Sequence, residues 1–116
     1  MKAKIRSYRN ITHVSDSEKT ITDIMEACKN GNIAVLSSLA EGKPIFNEIE
    51  KRGLSPLVVA SHNGHTNIVR YILQHKHYII NPEILACAAT TARINGQERI
   101  RSLITLYYIK YCRYSA

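Results

Sequence analysis

Four of the five histidines and all three cysteines have the widest chemical reach in this 116-residue chain, and spacing decides what they can do. His62 and His65 stand three apart, His75 and His77 two apart, and Cys28, Cys87 and Cys112 are scattered. Zinc takes three or four Cys, His or carboxylate ligands converging at about 2 Å, usually from short recognisable spacings. No such spacing occurs, so no metal is expected. The thiols leave an odd one and read as reduced and buried, in an intracellular protein. No Gly-rich phosphate loop, nucleophile elbow or H-E-x-x-H is present either. Neither enzymatic activity nor a cofactor is expected.

The elements that must position these residues are helices. Ile24, Ala27, Val35, Leu36 and Leu39 fall at helical spacing on two short segments split by Asn30-Gly31-Asn32. A glycine there supplies the positive φ that ends one helix and lets the chain reverse. Thr22 or Asp23 is placed to cap the first helix, and Ser55 to cap a later one with Pro56 at its first position. Asn81, Pro82 and Glu83 repeat that logic before Ile84. The break recurs: Gly31 lies 33 residues before Gly64, and Gly96 lies 32 after it. Small residues at Ala27, Ala60, Ser61, Ala88, Ala89 and Ala92 would let inner helices approach closely. A stack of antiparallel helix pairs follows, one small domain with a modest core. No run of 18 apolar residues is long enough for a transmembrane helix, and the basic N-terminus lacks the apolar stretch of a secretory signal.

From Gly53 to Leu73 the chain reads G-L-S-P-L-V-V-A-S-H-N-G-H-T-N-I-V-R-Y-I-L. This resembles one ankyrin repeat, matching the family at Gly53, Pro56, Leu57, Ala60, Gly64, His65, Val69 and Leu73. Val58 departs from the family's His and Ser61 from its second Ala. Upstream, Ile24 aligns with Leu57, Ala27 with Ala60, Val35 and Leu36 with Ile68 and Val69, and Leu39 with Ile72. The link from Phe46 to Pro56 resembles the family's finger, with Glu50 in place of its Asp. Downstream, Ala92, Gly96, Ile100 and Ile104 persist but the finger is lost. The resemblance implies an all-α, short ankyrin-type solenoid of about three repeats, with no sheet beyond a short finger hairpin. Its parts are a basic arm or cap (1–20), a degenerate repeat (21–52), a near-consensus repeat (53–81) and a degenerate repeat with an extended capping helix (82–116). In the family the ring of the Gly-His histidine ties adjacent loops, which would account for His65.

The net charge of +7 sits at the ends. Residues 1–18 carry Lys2, Lys4, Arg6 and Arg9 against Asp16 and Glu18, and residues 93–116 carry five bases against Glu98 alone. Such a field attracts nucleic acid, anionic lipid or an acidic protein alike. No motif for groove or base readout is present. In the last helix Ile100, Leu103, Ile104, Tyr107, Tyr108 and Tyr111 form a stripe of helical period, with the bases mostly off it. That is the pattern of a terminal helix covering a core on one side. Its tyrosines past Ile104 are also a possible docking site, Tyr and Arg being enriched among interface hot spots.

Ankyrin repeats rarely carry chemistry, and the resemblance implies a module that grips a protein partner with finger tips and inner-helix ends. Carried over by position, these are Lys51, Arg52, Leu54, His62, Asn63 and His75, with Lys29 and Asn30 in the first repeat and Ile94 and Asn95 in the third. Two other functions fit the residues: a basic adaptor for nucleic acid or anionic membrane, and a self-associating structural protein joined by its Tyr stripe. Short, Lys- and Ile-rich ankyrin chains also resemble those that intracellular bacteria and large DNA viruses deploy inside host cells.

Overall fold

The computed structural model describes residues 16–115, with side chains as far as residue 110. Seven helices and no strand occur among them: α1 (Asp16–Asn30), α2 (Ile33–Ala40), α3 (Ile45–Lys51), α4 (Pro56–His62), α5 (Thr66–Leu73), α6 (Pro82–Ile94) and α7 (Glu98–Ser115). The fold is all-helical. The expectations placed on the arm before Asp16, and on the side chains of Tyr111 and Cys112, lie outside the described residues.

Three pairs form the stack. α1 packs on α2, α4 on α5 and α6 on α7; α1, α4 and α6 make an inner row, and α2, α5 and α7 an outer one. Each pair turns at a glycine in the left-handed region, with φ of +77° at Gly31, +78° at Gly64 and +70° at Gly96. There the turn requires a conformation that L side chains rarely adopt. Ser55 caps α4 by accepting from the Val58 amide at 3.2 Å, and Asn81 caps α6 by accepting from the Glu83 amide at 2.9 Å, with Pro56 and Pro82 in the first turns.

The core runs along the seam between the rows. Ile24, Leu36, Leu57, Ile68, Ile72, Leu85, Ile100 and Ile104 are all buried there. Ala27, Ala60, Ser61, Ala88 and Ala92 are buried between inner helices, as their size predicts, and Ala89 is half-buried.

Four expectations need correction. Thr22 and Asp23 do not cap α1, which already runs from Asp16, and Thr22 Oγ1 instead donates to the Glu18 carbonyl at 3.0 Å. A hydroxyl can satisfy itself inside a helix in this way, so a cap residue alone does not mark a start. No hairpin forms in the first finger, because Phe46 and Ile49 fall three apart and bury themselves by winding 45–51 into α3. Cys28 is buried but Cys87 is exposed, along with Glu83, Ala86 and Thr90 on the same helix. Finally, α7 is not polar opposite its buried stripe: Leu106 and Ile109 are exposed there.

Candidate functional site

Helix polarity sorts eight of the ten expected contact residues into two groups. Inner helices end at one edge of the stack, and the loops that enter them lie at the other. Lys29, Asn30, His62 and Asn63 belong to the first edge, and Lys51, Arg52, Leu54 and His75 to the second. α4, seven residues long, separates them by about 10 Å of helix axis.

At the first edge the turns are laced together. His65 Nε2 donates to the Lys29 carbonyl at 2.9 Å, and its ring lies against Gly31 so closely that a Cβ there would come within 2.6 Å of Nδ1. Gln97 repeats the arrangement one unit on, 2.7 Å from the position of a Cβ on Gly64. Asn95 Nδ2 donates to His62 Nδ1 at 3.2 Å, and Asn63 Nδ2 to the Val59 carbonyl at 2.8 Å. The side chains of Lys29 and Asn30 are exposed without such ties. Between α1 and α4 lies an open notch of about 470 Å³ lined by Thr22, Met25, Glu26, Lys29, Asn30 and Val59. It offers an apolar floor, Met25 and Val59, beside one cation and one anion.

The second edge divides into packing and display. His75 is packing: its Nε2 donates to the Ala40 carbonyl at 2.9 Å, its Nδ1 accepts from the His77 amide at 3.3 Å, and its ring stands edge-on to Phe46 at 5.0 Å. It sits at the end of outer α5, and its position in the sequence says nothing of this aromatic neighbour. Lys51, Arg52 and Leu54 are display. Lys51 pairs with Glu48 at 3.5 Å on the surface, Arg52 is exposed, and Leu54 is 44% exposed. Their tip is held by amides: Gly53 donates to the Glu50 carbonyl at 3.0 Å and Leu54 to that of Ile49 at 3.4 Å.

Sequence reasoning missed the residues that hold this edge. Asn47 grips the backbone of Ile79 from both sides, donating to its carbonyl at 2.8 Å and accepting from its amide at 2.7 Å. Beside it the Tyr78 hydroxyl donates to Glu50 at 2.5 Å. Burial pushes the Glu50 carboxyl up against the lowering effect of these hydrogen bonds, and burial first, then the hydrogen bond to Glu50 and last its charge, push the Tyr78 phenol up. Asn47 stands in the finger-like F-N pair, which is the one signal that pointed to it.

Comparison with known proteins agrees with this geometry. The family model for ankyrin repeats matches residues 10–110 in three copies. The chain belongs to the ankyrin repeat family. The repeated glycine turns, the His65 and Gln97 contacts and the inner and outer rows are therefore its repeat architecture. One curated relative is "BTB/POZ domain-containing protein 3" of Schizosaccharomyces pombe, 36% identical over 64 residues. The match covers 53% of this chain and 12% of that protein, so the likeness is to a small part of it. No solved structure matches. Among the described residues no group of three or more His, Cys, Asp or Glu is placed to hold a metal ion, and no helix is long and apolar enough to cross a membrane.

Proposed function

We propose that this ankyrin repeat protein is a non-enzymatic module that grips a protein partner along the inner face, from the Arg52–Leu54 tip across the Met25–Val59 notch to Lys29. The observation that carries this reading is the tip. Gly53 and the backbone amides fix its conformation, so the fold has no use for the side chains of Arg52 and Leu54, yet it holds them out on a rigid support. A cation and an aliphatic side chain together fit an acidic segment with an apolar anchor. Lys51, His62 and Asn63 flank this path, whereas His75 belongs to the scaffold and drops out of the binding set. The same reading has the protein act inside a cell, and its Ile-rich composition supports a host-directed role.

The test starts from a partner recovered from eukaryotic lysate by affinity capture and purified. Replacing Lys51, Arg52 and Leu54 together by Ala should leave stability within about 0.5 kcal/mol of wild type. The same variant should bind at least about tenfold more weakly. If it binds normally, while removal of residues 1–15 and neutralisation of Arg93, Arg99, Arg101 and Lys110 abolish binding, the basic ends are the functional surface instead.

A further inference from the structure

Following one position through the three repeats shows what each end of the stack is built to meet. Ile68 and Ile72 of the second repeat are buried; 33 residues earlier stand Val35, 38% exposed, and Leu39, half-buried. The first repeat thus keeps the apolar residues with which the second receives its predecessor, and among the described residues no helix packs on that side. Val35 and Leu39 line a groove of about 280 Å³ with Ala27, Ser38, Asp23 and Glu26. Neither carboxylate makes an ion pair or hydrogen bond among the described residues.

The other end is the reverse. Ser61, Val69 and Leu73 are buried in the second repeat; 32 residues on, the third has Arg93, Arg101 and Thr105. Arg93 is exposed, and among the described residues Arg101 pairs with Glu98 alone, at 3.1 Å. Ile94, Tyr108 and Ile109 are exposed beside them. Within the stack α6 packs on α4, with Ala88 and Ala92 buried and Thr91 half-buried, and 65 residues earlier α1 has Asp23, Glu26 and Ala27. A first repeat placed after a third would therefore bring two carboxylates to the positions that face Arg93.

We propose that this protein self-associates head to tail, the acidic, apolar side of α1 and α2 in one copy receiving the Arg93 and Arg101 end of α6 and α7 in the next. The inference does not depend on the partner-binding reading. A contact between two different faces generates open chains rather than closed dimers, so mass should climb with concentration. Opposite charges at the seam should also make it weaken with salt.

Charge exchange tests it on the full chain. Sedimentation of wild type over roughly 10 μM to 1 mM at low salt should show growing assemblies, the range expected of a weak interface. Asp23→Lys with Glu26→Lys, and separately Arg93→Glu with Arg101→Glu, should each weaken association by on the order of tenfold or more, because each leaves like charges opposed. An equimolar mixture of the two double variants should associate again, since every seam then pairs opposite signs. Val35→Ser, with an unchanged melting temperature, should weaken association without salt dependence. A wild type that stays monomeric throughout overturns the proposal, as does association unaffected by either double variant. If the chain associates only after residues 1–15 are removed, the groove's occupant is that segment of the same chain, and the proposal also fails.

Discussion

Gly31 and Gly64 carry two constraints at once, whereas Gly53 and Gly96 carry one. All four have positive φ, but only the first two would drive a new Cβ into a neighbour, His65 or Gln97. Gly→Ala at Gly53 or Gly96 should cost about 1–2 kcal/mol, the left-handed penalty alone. At Gly31 the cost should be clearly larger, because the His65 ring cannot yield without losing its bond to the Lys29 carbonyl. Equal losses in urea denaturation would mean that the ring contact is not structural. Leu57 and Ile72 test the core: each is buried, and replacement by Ala should cost about 2–5 kcal/mol. Under 1 kcal/mol, roughly the cost of a surface change, would show the register to be wrong. The thiols differ in kind. Burial pushes the Cys28 thiol up to about 12, so almost none of it is thiolate at pH 8, while Cys87 is exposed. In a Cys112→Ser background, native protein should give one fast-reacting thiol with a disulfide reagent, and the second only on unfolding.

α3 shows how an element can be missed while its residues are in plain view. Seven residues are too few for a periodic pattern to announce a helix, and the finger resemblance argued for a hairpin. What decided it was the environment: Phe46 lands among Tyr71, His75 and Tyr78, which stand 25 or more residues away in sequence. The inner and outer helices were legible because their glycine breaks, Pro starts and apolar spacing all repeat. The contact residues were legible only as positions, since nothing in the spacing separated Arg52, which is displayed, from His75, which is packed. The α3 clamp has a pH signature. Burial raises the Glu50 carboxyl, so folding favours its protonated form. That contribution is present below the unfolded value, about 4.3, and is lost as pH rises through the folded value. Glu50→Gln keeps an acceptor for Tyr78 and removes the buried charge. Its melting temperature relative to wild type should therefore rise between pH 4 and pH 7. A fall over that interval would show that the ionised carboxylate is the better partner. Asn47→Ala, which frees the amide and carbonyl of Ile79, should speed hydrogen exchange at residues 78–80 more than elsewhere.

The whole molecule is elongated, 57 × 28 × 25 Å, with a Cα radius of gyration of 16.3 Å against about 13 Å for a compact domain of this size. Stability in such a stack is a sum over repeats and their interfaces. The middle repeat packs on both neighbours, through α4 to α1 and α6 and through α5 to α2 and α7. Leu57→Ala should therefore lower protection from hydrogen exchange in α1 and α7 together. If either end helix keeps its protection, the ends fold independently of the centre. The two ends also differ in what lineage of longer arrays they permit. Repeat proteins lengthen when a segment of the gene is duplicated in tandem, and here the outcome depends on which unit is copied. A second copy of the middle unit would meet Ser61, Val69 and Leu73, the apolar and small residues that already receive the third unit. A second copy of the third would bring its inner helix, with Ala88 and Thr91, against the exposed Arg93, a guanidinium with no carboxylate to receive it there. Growth of this array is therefore favoured by copying its middle unit and disfavoured by copying its third.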